Sequence, residues 1–248
     1  MAVAQQTVLI LGGTSDIARA TALVFARHDW VVRLAGRTLS ELQREADDIS
    51  ARTSRKVTVH AFDVLNTSSF VEFADTLPEL PDLVISVVGL LGEQSRSEVD
   101  TEHAKEIIRS NYEGPALILS LFAERFVARG HGAIIGISSV AGDRGRGSNY
   151  FYGSAKAGFS AFLSGLRNRL AISSNIHVMT VKPGFVRTKM TEDMKLPPLL
   201  TAAPAEVGEA VFKALGRRKD VIYVRSIWWL VMLIIRLMPE RIFKRLKL

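Results

Sequence analysis

Tyr152 and Lys156 stand four positions apart, so on a helix both side chains leave the same face, one turn from each other. A phenol titrates near pH 10 and is a poor acid at neutrality. An ammonium one turn away favours the phenolate and is expected to lower that value. The pair would then act as a proton donor matched to an alcohol or a ketone. Ser139 precedes Tyr152 by thirteen residues and offers a hydroxyl to hold a substrate carbonyl; Ser138, beside it, is expected to be structural. Tyr150 is the rival donor, but its i+4 neighbour is Ser154, which cannot shift its acidity, so Tyr150 is expected to line the pocket or pack. Carbonyl reduction, or alcohol oxidation in reverse, is the chemistry these residues suit.

Such groups need a rigid frame. Apolar runs of strand length fall at 8–11, 31–35, 57–62, 83–88, 133–138, 177–182 and 221–224, with helical patterns near 17–28, 39–52, 67–76, 101–128, 153–173 and 205–216. Strands alternating with helices predict right-handed crossovers and an α/β fold. Seven strands make a doubly wound, Rossmann-type parallel sheet with helices on both faces, its ligand outside the carboxyl ends. No repeat or linker interrupts the chain, so one domain is expected: a catalytic body over 1–225 carrying an apolar and basic extension over 226–248.

After the first strand, Gly12-Gly13-Thr14-Ser15-Asp16-Ile17-Ala18 opens a helix. A glycine turn there lets the backbone approach a pyrophosphate, which the helix N-terminus attracts. The usual glycine fingerprint is incomplete, with Asp16 and Ala18 where two glycines are expected. Asp16 can cap the helix but is unfavourable beside phosphates unless it points away. The second strand ends at Arg37, where an acid would hold the ribose hydroxyls of NAD and an arginine suits a 2′-phosphate, so NADP(H) is favoured over NAD(H). Asp63, after the third strand, reads either as an adenine contact or as a turn residue. Gly89, after the fourth, would let the chain pass close to a cofactor.

The chain has no cysteine, hence no disulfide framework and no thiolate metal site; no metal is expected. From Met1 to Gln6 there is no basic stretch leading into an apolar run and a cleavage site, so no signal peptide is expected and the protein reads as cytoplasmic. Of 32 basic and 25 acidic residues, nine basic (Arg217, Arg218, Lys219, Arg225, Arg236, Arg241, Lys244, Arg245, Lys247) and two acidic lie beyond position 216, leaving 23 of each before it. The whole net charge of +7 therefore sits in the tail, which argues against a body built for nucleic acid. In the same tail, 227–235 is nine consecutive apolar residues, too short to span a bilayer. Apolar residues and tryptophans next to lysine and arginine suit either an interfacial contact, on the inner face of the cell membrane, or a buried subunit interface.

Taken together, the Gly12 turn, Gly89, Asn111, Ser138-Ser139, Tyr152-x-x-x-Lys156 and Pro183-Gly184-Phe185-Val186-Arg187-Thr188 resemble the short-chain dehydrogenase/reductase family over roughly 7–225. The resemblance implies that Tyr152 donates or accepts the proton and Ser139 orients the carbonyl. It implies that Lys156 holds the nicotinamide ribose and that Asn111 anchors a water in a proton relay. Implied cofactor contacts are Gly12, Thr14, Ser15, Asp16, Ile17, Arg37, Asp63, Val64, Gly89, Tyr152, Lys156, Pro183, Gly184, Val186 and Thr188, the last four at the carboxamide end. It also implies a homodimer or homotetramer. A narrower likeness, carried by the Gly-Gly-Thr-Ser-acid-Ile turn, Gly89-Leu90-Leu91-Gly92, 186–190 and 239–244, is to reductases of a decaprenylphosphoryl keto-pentose in cell-envelope polysaccharide synthesis. In that company an acid at position 16 is normal, and the apolar segment 188–204, with Met190 and Met194, would cover a lipid-linked carbonyl substrate. Two other readings stay open: reduction of a soluble or fatty ketone with the tail used for oligomerisation, and a non-catalytic NADP-binding sensor.

Overall fold

In the first strand, β1 (Thr7–Leu11), consecutive side chains leave opposite faces, and both sets are apolar. Val8 and Ile10 enter one buried core, Leu9 and Leu11 the other, so the strand needs helices on both sides. The computed structural model, which describes residues 5–173 and 175–246, supplies them. Met1 and Lys247, considered above, lie outside the described residues.

The chain continues as α1 (Asp16–Arg27), β2 (Val31–Gly36), α2 (Leu39–Thr53), β3 (Val57–Ala61), α3 (Phe70–Asp75), β4 (Leu83–Ser86), α4 (Gln94–Ser97) and α5 (Thr101–Ile108). Then follow α6 (Gly114–Arg129), β5 (His131–Ile137), α7 (Tyr150–Ser173), β6 (Asn175–Pro183), β7 (Phe185–Val186), β8 (Thr201–Ala202), α8 (Pro204–Gly216), β9 (Val221–Val224), α9 (Ile227–Leu237) and α10 (Glu240–Phe243). Seven strands form one sheet in the order β3-β2-β1-β4-β5-β6-β9, and every pairing is parallel. The expected Rossmann-type fold is therefore present. Its strand order reverses between β1 and β4, which opens a crevice at their carboxyl ends. A small parallel pair, β7 with β8, lies outside the main sheet.

Two elements depart from the sequence reading. The helix expected over 101–128 is interrupted by a π-turn, Arg109–Glu113, between α5 and α6. Pro115 explains it: having no N–H, it cannot bond the Asn111 carbonyl four residues back, and its ring crowds that carbonyl. The break places Asn111 in the widened turn, a common setting for functional residues. Helix α7 starts at Tyr150, three residues earlier than expected, with the Gly153 N–H bonded to the Asn149 carbonyl at 2.8 Å. Tyr152 thus sits in the first turn.

The apolar stretch 227–235 is the helix α9, whose two inward residues, Trp228 and Met232, are 3% and 1% exposed. They form a third core with Val140, against Phe185 and Leu200. Among the described residues no helix is long and apolar enough to cross a membrane.

Candidate active site

The turn after β1 is shaped by Gly12, whose φ of +84° favours glycine and whose missing Cβ would stand 3.0 Å from the Val88 nitrogen. Ser15 caps α1 by accepting from the Ala18 N–H at 3.1 Å. Asp16 turns its carboxylate away from the loop: Oδ2 accepts from the Lys189 N–H at 2.9 Å and Oδ1 faces Arg19 at 3.3 Å. Its charge is thus spent on fixing the 189–191 turn to the start of α1, which removes the objection to an acid at this place.

Two cavities share this loop. One, of about 180 Å³, is lined by Gly12, Thr14, Ser15, Arg37, Phe62, Val64 and Gly89. The other, of about 350 Å³, is lined by Thr14, Ser15, Asp16, Ile17, Gly89, Ser139, Tyr152, Lys156, Pro183, Gly184, Val186 and Thr188. They meet at Thr14, Ser15, Val87 and Gly89, and together follow the carboxyl ends of the strands. A glycine cradle at a helix N-terminus, with exposed Arg37 at the far end, fits a dinucleotide.

Of the two readings of Asp63, the turn residue is the one that has a contact. It lines neither cavity, and its Oδ1 accepts from the Leu65 N–H at 3.0 Å, so it serves the turn after β3. Asn111 is fully buried behind Gly89 and lines neither cavity. Its Nδ2 donates to the carbonyls of Leu90 (2.6 Å) and Ile107 (2.8 Å), while Oδ1 accepts from the Leu90 N–H at 3.3 Å. A Cβ on Gly89 would lie 3.0 Å from Asn111 Oδ1 and 3.2 Å from Lys156 Nζ, so the glycine is what lets these groups close around the chain.

Lys156 is buried and donates to the carbonyls of Ile137 (3.1 Å) and Val88 (3.4 Å). Burial lowers its pKa from 10.5 to about 7. Tyr152 differs from the sequence expectation: its phenol is pushed above the ordinary value, because burial outweighs the hydrogen bond with Ser139, which acts the other way. The lysine does not reverse this, since its own ammonium is desolvated and turned to backbone carbonyls. The phenol stays protonated, the form a donor needs. Ser138 is structural, its Oγ donating to the Lys156 carbonyl at 3.0 Å and meeting Ser160 Oγ at 2.7 Å. Tyr150 lines neither cavity, is 41% exposed and packs on Phe151.

Sequence reasoning missed Arg146, Asn149 and Trp228, all lining the larger cavity. Gly184 packs so tightly on Trp228 that a Cβ would fall 1.9 Å from the indole. Trp228 Nε1 in turn donates to the Leu200 carbonyl at 3.0 Å, anchoring the covering segment. Trp228 stands between Ile227 and Trp229 in an unbroken apolar run, so no spacing marks it and only tertiary contact finds it.

A parallel sheet with a dinucleotide crevice, and a tyrosine, serine and lysine gathered in its larger cavity, define an NAD(P)-dependent oxidoreductase. The profile of the short chain dehydrogenase family matches residues 6–197, and the chain belongs to that family. It is 34% identical to an uncharacterised oxidoreductase of Streptomyces coelicolor over 97% of this chain and 96% of that one. To an uncharacterised oxidoreductase of Mycobacterium tuberculosis (strain ATCC 25618 / H37Rv) it is 32% identical over 96% of each. A short-chain dehydrogenase from Sphingobium yanoikuyae, solved in complex with NADPH, superposes with a TM-score of 0.80 at 24% identity, over 91% of this chain and 92% of that one. These relatives lend no support to the narrower keto-pentose reductase likeness.

Proposed function

We propose that the protein is an NADPH-dependent carbonyl reductase whose substrate is a keto group on a polyprenyl-phosphate-linked or similar lipid-linked sugar. The observation that carries this reading is that one helix serves both the cavity and the outside. Trp228 of α9 walls the site beside Met190 and Met194. Its neighbours Trp229, Leu230 and Ile234 are exposed, followed by exposed Arg236, Arg241, Lys244 and Arg245. A lipid-linked substrate on the inner face of the cell membrane suits such a helix. Arg37 in the smaller cavity favours the 2′-phosphate of NADPH, the cofactor held by the Sphingobium relative.

Bound NADPH would supply the hydride. Ser139 orients the carbonyl oxygen, and the protonated Tyr152 phenol gives its proton to that oxygen. The phenolate that remains shares a helix face with Lys156, one turn away. The test measures NADPH oxidation by purified protein with a polyprenyl-phosphate keto-sugar extract. The Tyr152→Phe variant is expected to lose at least about 100-fold in rate, and NADPH to exceed NADH at least tenfold in kcat/KM. Equal rates for wild type and variant would sink the reductase reading, and equal use of the two cofactors would sink the role given to Arg37.

A further inference from the structure

The loop between β5 and α7 carries three charges, and two of them are accounted for. Asp143 places Oδ1 2.5 Å from Lys182 Nζ and accepts from the Tyr223 hydroxyl at Oδ2 (2.7 Å). Arg144 clasps the tail, donating to the carbonyls of Ile235 and Met238, pairing with Glu240 at 2.8 Å and lying 3.8 Å over the Phe243 ring. Arg146 is different. It lines the larger cavity with Tyr152 and Ser139, and its Nε is buried with no hydrogen-bond partner among the described residues. Among the described residues its one hydrogen bond runs from Nη2 to Met232 Sδ at 3.5 Å, a weak acceptor. Asn149, three residues on and lining the same cavity, has its Oδ1 buried and unpaired as well.

A buried guanidinium N–H without an acceptor is costly, and partial burial lowers the Arg146 pKa against the opposing pull of Asp143. Asp143 pulls on it from nearby but is bonded to Lys182 and Tyr223, and among the described residues it makes no hydrogen bond to Arg146. Asp16, the one acid lining the cavity, is held by Arg19 and the Lys189 N–H. The cavity therefore presents a guanidinium Nε without an acceptor, next to an amide oxygen without a donor, among the described residues.

We infer that Arg146 is a specificity residue that binds an anionic oxygen group on the ketone substrate, a phosphate ester or a carboxylate, while Asn149 accepts from a substrate hydroxyl. This rests on the reductase reading and sharpens it: a sugar bearing an anionic link supplies both groups. Guanidinium suits either anion, because its planar fork matches both geometries.

The test compares kcat/KM with NADPH for three ketones sharing one ring: 4-acetylphenyl phosphate, 4-acetylbenzoate and the uncharged methyl 4-acetylbenzoate. Wild type is expected to favour a charged ketone over the ester at least tenfold. Arg146→Met should reduce that ratio at least tenfold, and Arg146→Lys, which keeps the charge, should restore part of it. A higher value for the phosphate assigns the anion to a phosphate ester, and a higher value for the benzoate assigns it to a carboxylate. No charged preference in wild type, or an unchanged ratio in Arg146→Met, overturns the inference. Where Arg146→Met fails to fold, Arg146→Gln is read in its place. Calorimetric titration of the three compounds into NADP⁺-loaded protein gives the same ratio without turnover. Reduction of the ester that Tyr152→Phe abolishes, with no charged preference, would sink the anion site and leave the reductase standing.

Discussion

A lysine buried as deeply as Lys156 holds its proton against the loss of water, which its two carbonyl partners only partly replace. The sign of the pH dependence follows. An unfolded lysine keeps its proton up to its ordinary pKa of 10.5, whereas the folded one releases it near 7. Between those values the unfolded chain binds more protons here, so stability from this residue rises with pH, by up to about 1.4 kcal/mol per unit. Below pH 7 both states are protonated and the cost of burying the charge is complete. Lys156→Met removes the charge, so its gain over wild type should be largest near pH 6, fall below about 1 kcal/mol by pH 10 and vanish only above the unfolded pKa. Urea midpoints of the two cofactor-free proteins across that range measure it, and a difference independent of pH would contradict the buried ammonium.

At the scale of elements, the 183–188 segment and α9 are one unit. The contact of Gly184 with Trp228 leaves no room for a methyl group. Gly184→Ala must push α9 outward or displace the segment that lines the cofactor cavity, an overpacking that costs about 1–3 kcal/mol. In a double-mutant cycle with Trp228→Ala, which opens the space, the two changes should couple by more than about 1 kcal/mol; additive effects would show that α9 does not bear on the turn. This unit also marks what the sequence could and could not disclose. The strands were legible because their apolar runs are bounded by turns and alternate with helical patterns. Tyr152 and Lys156 were legible because a helix repeat puts them on one face. The π-turn at Asn111 had a signal in Gly114-Pro115, since a proline must leave the carbonyl four residues back unbonded. Nothing comparable marks α9: every residue from Ile227 to Ile235 is apolar, so no periodicity separates the inward Trp228 and Met232 from the outward Trp229 and Ile234. The direction of the Tyr152 shift was equally hidden, because it depends on burial rather than on spacing. Arg146, between Gly145 and Gly147, gains meaning only from an Nε buried without a hydrogen-bond partner among the described residues.

For the molecule as a whole, charge and apolar exposure coincide in one place. The body of the chain is electrically balanced, and the net +7 belongs to the last 32 residues. There α9 exposes Trp229, Leu230, Leu233, Ile234 and Leu237, the last at 74%. On a helix these positions form one stripe, opposite the buried Trp228 and Met232. Arg236, Arg241, Lys244 and Arg245 flank it, each worth about 1 kcal/mol at an anionic lipid surface, or roughly a thousandfold in partitioning for the four. Removing the tail would not test this, because a chain ending at Arg225 also loses Trp228 and Met232 from the third core, Trp228 from the cavity wall, and Phe243 from beneath Arg144. The cleaner variant is Trp229→Glu with Ile234→Glu, which changes only the outward face. Wild type should co-sediment at low salt with vesicles containing about a third anionic lipid. The double variant, and wild type in about 0.5 M salt, should each bind at least fivefold less. Equal sedimentation of wild type and variant, or equal binding to neutral vesicles, would mean that the stripe serves another surface, and a second copy of the chain would then be sought by sedimentation velocity.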